Sequence, residues 1–307
     1  MAGSDPPTDY AVIAGQYRLE RLIGEGAFGR VFEAFDLALE RRVAVKLITL
    51  RSDIANLEQR FMREVQLAKQ IEHGNVVRLY NFGRDGEYLF IAMELVEGEQ
   101  LAEVIDRDGA MPLERALNII MQVLDALAEA QSLGVVHRDM KPENILLTHK
   151  GVRQDVVKLL DFGIAKTVET DKVRLTEDGT TCGTPLYMAP EQFQGREIGP
   201  FTDIYSVGLI LIEMLVGEPA ISGNTVYEII ANHIQRGVQI PKLLEHSVVY
   251  PVIVRAVNRD PTQRYPLAAD MYQALLQVLE QSGSKQQAVL GGASLSTRLD
   301  ELEQAAG

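Results

Sequence analysis

The sequence predicts an α+β protein built as two unequal lobes: a small sheet carrying one helix, then a larger, mainly helical unit. Three observations carry that expectation. Five short runs rich in β-branched and aromatic residues crowd into residues 17–94. One stretch of helical periodicity interrupts them. Beyond Gly98 the apolar pattern turns mostly to helical spacing.

Residues 1–16, rich in Pro, Asp, Gly and Ala, read as a mobile lead-in. The five strands are expected at 17–23, 31–35, 43–48, 76–82 and 88–94, each bounded by glycine or charged turns. Between the third and fourth, residues 56–71 repeat Phe61, Val65, Ala68 and Ile71 at helical spacing, with Ser52 or Asp53 as N-cap. A connector is expected near 96–98. Residues 113–133 form a long amphipathic helix that stops at Gly134. Strand and loop follow to about Pro190, and helices resume at 203–215, 225–235, 250–258 and 268–281. Residues 282–307 read as a linker and short helix with Leu295, Leu299 and Leu302 on one face. The folded unit is therefore expected over 17–281, split into a small lobe (17–96) and a large one (97–281).

Composition excludes several classes. The chain has 307 residues, 46% of them hydrophobic, which suits a globular protein and not a disordered one. One cysteine, Cys182, excludes an intramolecular disulfide framework and a multi-cysteine metal site. The net charge of −13 argues against nucleic acid as partner, because phosphate binding needs a basic face. Only three of those charges lie in the two ends, so the folded unit is itself acidic. The start lacks the basic and apolar regions of a signal peptide. The most apolar stretch, residues 207–216, is too short to span a bilayer and contains Glu213. A cytoplasmic location follows as an expectation, either for the chain itself or for the cytoplasmic part of a larger protein.

Three clusters carry chemistry. Gly24-Glu25-Gly26-Ala27-Phe28-Gly29-Arg30-Val31 spaces three glycines so that backbone N–H groups can approach phosphates. A strand follows it and not a helix, so it reads as a hairpin tip over a nucleotide. Val43-Ala44-Val45-Lys46 ends an apolar strand on a lysine, which needs an anionic partner if buried. Glu64, beside the apolar stripe of the following helix, is the expected partner. The third cluster is His137-Arg138-Asp139-Met140-Lys141-Pro142-Glu143-Asn144, followed seventeen residues later by Asp161-Phe162-Gly163, then Gly183-Thr184-Pro185 and Ala189-Pro190-Glu191. Two oxygen-ligand positions and a third carboxylate around a lysine and a glycine flap suit phosphoryl transfer, which rests on positioning and charge neutralisation. Asn144 and Asp161 could complete a magnesium shell with substrate phosphates.

In this order and spacing the motifs resemble the eukaryotic-type (Hanks-type) serine/threonine protein kinases, most like the bacterial ones, over residues 17–281. The resemblance implies the bilobal kinase fold, with a five-stranded sheet plus one helix in the small lobe. It implies ATP with Mg2+, or Mn2+ in its place, and transfer to Ser or Thr hydroxyls of protein substrates. Ile23, Gly24, Glu25, Gly26, Ala27, Phe28, Gly29, Arg30 and Val31 would cover the nucleotide. Val31, Ala44 and Leu146 would sandwich the adenine, with Met93 as gatekeeper and Glu94 and Val96 in the hinge. Lys46 would hold the α- and β-phosphates and pair with Glu64. Asp139 would accept the substrate proton, Lys141 would neutralise the transferring group, and Asn144 and Asp161 would bind the metal. Thr184 would contact Asp139 and Lys141.

Further expectations follow from the resemblance. His137, Leu79, Ala68 and Phe162 would stack as a spine anchored by Asp203, so His137 is structural. His73, His149, His233 and His246 show no ligand spacing and are expected at the surface. Glu191 and Arg264 would form a buried ion pair. Arg138 before Asp139 suggests switching by phosphorylation of the loop 161–191, first at Thr180, with Thr176 or Thr181 secondary, through transient self-association. Glu143 and Glu213 suggest a preference for basic residues before the acceptor. Two other readings compete: a scaffold of the same fold without turnover, and a small-molecule phosphotransferase. Intact motifs argue against the first, and Gly-Thr-Pro with Ala-Pro-Glu argues against the second.

Overall fold

The computed structural model describes residues 11–26, 29–50, 57–162 and 185–281. Its elements in chain order are β1 (Val12–Ile13), β2 (Tyr17–Gly26), β3 (Gly29–Asp36), β4 (Arg41–Thr49), α1 (Leu57–Ala68), β5 (Leu79–Asp85), β6 (Tyr88–Met93), β7 (Glu99–Gln100), α2 (Leu101–Asp108), α3 (Leu113–Ser132), β8 (Ile145–Lys150), β9 (Arg153–Leu159), α4 (Pro190–Gln194), α5 (Pro200–Val216), α6 (Val226–Ala231), α7 (Tyr250–Ala256) and α8 (Ala268–Gln281).

The small lobe is an antiparallel sheet in the order β1-β2-β3-β4-β6-β5. β4 shows why it needs cover on both faces. Val43, Val45 and Leu47 point into a cluster with Tyr17, Leu19, Phe32 and Phe90, while Ala44 and Ile48 face the core that holds Phe61 and Val65 of α1. The curled sheet therefore buries one face in itself and lays the other on α1.

Three expectations shift. Residues 11–16, read as lead-in, add β1 through a tight turn at Ala14 and Gly15, both at positive φ (+53° and +64°). Ala14 carries no turn signature, which hides this hairpin in the sequence. The strand expected at 76–82 starts only at Leu79, because residues 75–77 pair instead with the end of β9: Leu159 N–H donates to Asn75 O at 2.7 Å and Val77 N–H to Leu159 O at 3.0 Å. The helix expected over 225–235 runs as α6 and then widens into a π-turn, Asn232–Arg236. The tail helix expected after 282 lies outside the described residues.

In the large lobe α5 is buried on every side from Thr202 to Met214, as its nearly unbroken apolar run requires. α3, α7 and α8 pack around it. A second sheet, β7-β8-β9, lies at the junction of the lobes. Met93 thus leads through residues 94–98 into Glu99, which pairs with Leu147 of β8. Gly98 fits that crossing because a Cβ there would lie 2.9 Å from Leu147 O.

Candidate active site

The glycine loop is the β2–β3 hairpin. Gly24 faces Val31, Glu25 faces Arg30 and Gly26 faces Gly29. Gly29 sits at φ +139°, and a Cβ on it would lie 2.1 Å from Leu47 O of the strand beneath. Only glycine lets the hairpin lie that close to the sheet. Glu25 and Arg30 close an exposed 2.8 Å ion pair, and Ile23 is exposed at the mouth. Ala27 and Phe28 fall outside the described residues.

Below the hairpin, β4 pairs with β3 and β6, so Lys46 stands between Val31 and Ile91. Ala44 lies opposite Met93, and both are buried. Val31 and Leu146, the other two residues expected at a flat ring, are half-buried. Glu94 is fixed at the strand end: its N–H donates to Arg78 O, and its carboxylate takes Lys158 Nζ at 2.9 Å. Val96 lies half-buried two residues on.

Lys46 is 8% exposed and needs a counter-charge. That partner is Asp161, with Nζ 2.6 Å from Oδ2. The expected pair with Glu64 is not formed: Glu64 is half-buried on α1 and makes no ion pair with Lys46. The geometry behind this lies at Asp161, whose backbone takes φ +48°, a region L-residues seldom occupy, just beyond β9.

The loop between α3 and β8 carries the remaining polar groups. Asp203, 1% exposed at the start of α5, accepts His137 N–H and Arg138 N–H at 2.8 Å each. Burial pushes its carboxyl above the ordinary value, against the lowering effect of His137 and Arg138. Arg138 holds φ +64° and its carbonyl accepts from Gln192 of α4. The ring of His137 uses both nitrogens: Nε2 meets Leu160 O at 2.8 Å and Nδ1 accepts Asp139 N–H at 3.3 Å. It also lies 4.6 Å from the Phe162 ring. His137 is thus committed to holding the loop, as expected. Ala68 and Phe162 are buried in the same core, and Leu79 packs against it.

Asp139 is partly buried. Asn144 Nδ2 donates to Asp139 O at 2.7 Å and to Oδ2 at 3.2 Å, and Lys141 Nζ lies 3.8 Å from the same Oδ2. With Nδ2 so engaged, the acceptor Asn144 has left is Oδ1. The β8–β9 hairpin explains why Asn144 and Asp161 come to neighbouring strand ends despite their separation. Ile145 pairs with Leu159, and Leu160 N–H donates to Asn144 O, so the two residues expected to bind metal flank the base of one hairpin.

These donors fit a hard divalent cation. Asn144 Oδ1 and the Asp161 carboxylate supply oxygen only, and no group of three His, Cys, Asp or Glu gathers among the described residues. Such a pair suits a magnesium ion that completes its shell with phosphate and water.

A second polar region lies on the large lobe. Tyr187 OH donates to Glu213 Oε2 at 2.7 Å, and Ser206 Oγ to Tyr187 O at 2.7 Å. Burial pushes Glu213 up to about 7, the Tyr187 bond opposing it and Glu143 and Asp106 adding to it. Burial and the nearby Glu213 also raise the Tyr187 hydroxyl. Glu143 and Glu213 were singled out in sequence; Tyr187 and Asp106 were not, because neither belongs to a motif. Behind this region Glu191 and Arg264 form the expected buried pair, at 2.8 and 3.0 Å, with both side chains at most 2% exposed. His149 and His246 are exposed and His73 half-buried. His233, expected at the surface, is instead fully buried, because the π-turn rotates it into the core beside Tyr205. Gly163, Thr176, Thr180, Thr181, Cys182, Gly183 and Thr184 lie outside the described residues.

The sequence matches the family model for the protein kinase domain over residues 17–284. It is 38% identical over 289 residues to serine/threonine-protein kinase pkn3 of Myxococcus xanthus, covering 90% of this chain and 52% of that one. It is 37% identical over 265 residues to serine/threonine-protein kinase PrkC of Bacillus subtilis, covering 84% of this chain and 40% of that one. The chain thus spans about half, or less, of these relatives. Among solved structures, the kinase domain of Mycobacterium tuberculosis PknI superposes with a TM-score of 0.70 at 23% identity, covering 89% of this chain and 99% of that one. Rad53 residues 1–466 in complex with AMP-PNP superpose with a TM-score of 0.70 at 27% identity, covering 85% and 65%.

Proposed function

The chain belongs to the protein kinase domain family, and from that premise we propose that it transfers the γ-phosphoryl group of ATP to Ser or Thr hydroxyls of protein substrates. The observation that carries the reading is the junction of two polar groups at one hairpin base: Asp139 with Asn144 and Lys141, and Asp161 with Lys46. In this reading residues 17–281 are the catalytic unit, with lobes meeting after residue 96. The hairpin Gly24–Gly26–Gly29 covers the phosphates. Val31, Ala44, Met93 and Leu146 hold the adenine, and Glu94 and Val96 border it. Asn144 and Asp161 hold Mg2+, which when bound neutralises charge on the phosphates.

Asp139 then orients the acceptor hydroxyl and takes its proton as the oxygen attacks the γ-phosphorus and ADP leaves. Lys141, within 4 Å of Asp139, meets charge on the transferring group. Lys46 meets the α- and β-phosphates. The relatives' names support Ser and Thr as acceptors, and Lys141 two places after Asp139 agrees with that. Thr184 completes the acceptor site in this reading. Glu143, Glu213 and Asp106 favour basic residues before the acceptor, since a guanidinium beside Glu213 would restore its charge. Autophosphorylation between copies, at Thr180 first, is the proposed switch, with Arg138 meeting the phosphate. A cytoplasmic setting fits ATP use, and no described helix is long and apolar enough to cross a membrane.

Incubation with Mg-ATP tests the reading, with intact mass and phosphorylation of a generic protein substrate as readouts. Gain of phosphate, abolished by Asp139→Asn, is the expected result. ATP binding without transfer would instead favour a scaffold. Peptide arrays that show no basic preference would remove the substrate proposal alone.

A further inference from the structure

The proposed chemistry uses the cleft between the lobes and leaves a second cavity unassigned. Its volume is about 490 Å³, within the roughly 300–1,000 Å³ usual for small-molecule sites. It lies in the small lobe, where the start of β2, the β3–β4 turn, the residue just after α1 and the start of β5 converge. The glycine hairpin is at the opposite end of β2 and β3. Arg41, Lys69 and Arg78 line the cavity, together with one carboxylate, Asp36. Three cations to one anion run against the net charge of the chain, which is −13.

The carboxylate is already engaged. Asp36 is 1% exposed, and its Oδ1 accepts Gln16 Nε2 at 2.9 Å and the N–H groups of Ala38 and Leu39 at 3.1 and 3.3 Å. These bonds hold the β3–β4 turn. The cations are less committed. The Arg41 guanidinium lies 3.7 Å from the centre of the Tyr80 ring, and its Nε is 3.9 Å from Asp36 Oδ2, too far for a hydrogen bond. That Nε is buried and closes none. Ring and carboxylate therefore fix the guanidinium in place without taking up its donors among the described residues. Lys69 is exposed, with its ammonium 5.8 Å from the Phe82 ring, and forms no ion pair among the described residues. Arg78 pairs with Glu72 at 3.6 Å, but these side chains are 70% and 81% exposed, so the pair is worth little in water.

We propose that this cavity binds a phosphate monoester, with Arg41 as the fixed fork and Lys69 and Arg78 completing the charge balance. A guanidinium fork matches phosphate oxygens in pairs. A phosphate monoester carries about −2 at pH 7, which offsets the excess of cations in the lining, whereas a carboxylate would offset half of it. The volume exceeds that of a bare phosphate, and Leu39 and Leu79 add apolar lining for the organic part of the ligand. Two sources offer this chemistry: a free phosphorylated metabolite, and a phosphorylated Ser or Thr side chain, the product of the proposed activity. The inference goes beyond the kinase reading and does not rest on it, because none of the four charged groups belongs to the proposed nucleotide or acceptor site.

Calorimetric titration of the full chain tests it, with the nucleotide site filled by Mg2+ and a non-hydrolysable ATP analogue, at about 150 mM salt so that loose surface attraction is screened. The probes are inorganic phosphate, ribose 5-phosphate and capped phosphothreonine, with ribose and capped threonine as controls. Saturable one-to-one binding of the esters, and none of the controls, is the expected result. Inorganic phosphate should bind more weakly, since it cannot reach Leu39 and Leu79. Tighter binding of ribose 5-phosphate assigns the site to a free metabolite, and tighter binding of phosphothreonine to a modified side chain. Arg41→Gln and Lys69→Gln are each expected to weaken ester binding at least about tenfold, the worth of one charge-assisted hydrogen bond, and to leave the affinity for the ATP analogue within about twofold. Lys69 is exposed, so its substitution still decides the matter if Arg41→Gln fails to fold. Absence of ester binding overturns the proposal, and so does ester binding that both folded variants retain or that disappears once the nucleotide site is filled. A wild type that binds the esters but transfers no phosphate would sink the kinase reading and leave this inference standing.

Discussion

Lys46 Nζ and Asp161 Oδ2 lie 2.6 Å apart, across 115 residues of sequence, while Glu64 on the intervening helix stays out of the pair. This ion pair ties the small lobe to the large one at the expected position of the nucleotide phosphates, beside the separate Glu94–Lys158 pair at the strand end. Asp161→Asn leaves a buried lysine without a carboxylate and is expected to lower ligand-free stability by roughly 1–3 kcal/mol. Glu64→Gln is expected to change it by less than about 0.5 kcal/mol. Urea denaturation of both variants checks the contrast; equal losses would place Glu64 in the pair after all.

The Glu191–Arg264 pair is fully enclosed, and Thr202 Oγ and the carbonyls of Asn258, Arg259 and Phe201 complete its bonds. Removing one partner strands a buried charge. Arg264→Met is expected to cost about 3–5 kcal/mol, and Glu191→Gln with Arg264→Met less than the single change. A double-mutant cycle by chemical denaturation reads both.

Glu213 supplies a pH dependence whose sign is fixed by its raised carboxyl. Unfolded, it titrates at 4.5; folded, at about 7, chiefly through burial. Its contribution to stability is therefore full below pH 4.5 and is lost as pH rises through 7. Glu213→Gln never ionises and still accepts the Tyr187 hydroxyl. Relative to wild type it should gain on the order of 2 kcal/mol between about pH 5 and about pH 8. Melting temperatures across that range decide the matter, and a constant difference would refute it.

Gly29 leaves no room for a side chain over Leu47 O. Gly29→Ala must lift the hairpin or strain it, at roughly 1–3 kcal/mol, and the loss should appear in nucleotide affinity more than in stability. Calorimetric titration with a non-hydrolysable nucleotide measures it.

Much of this was legible in the sequence because its signals are local. Strands β3, β4 and β6 follow from alternating β-branched runs, and α1 from Phe61, Val65 and Ala68. Asp139, Asn144 and Asp161 declare themselves by motif, and so do Glu191 and Arg264. What stayed hidden depends on long-range geometry. Which carboxylate takes Lys46 turns on the backbone of Asp161 and the placing of α1, which no spacing encodes. β1 turns on Ala14, a residue with no turn preference. His233 looked like a surface residue because a regular helix would leave it outside, and nothing in the local pattern announces a π-turn.

The register of β8 and β9 has a consequence for engineering. Asn144 and Asp161 flank the open base of the hairpin, whereas its far tip, at Gly151 and the fully exposed Val152, points into solvent. The seventeen-residue separation of the two proposed ligands is therefore slack and not a ruler. A tag or reporter grafted at the tip would lengthen the hairpin without disturbing its base, so residues 151–152 offer a port for a label at a distance from the proposed nucleotide site. A single residue inserted within either strand would instead turn its side chains to the opposite face.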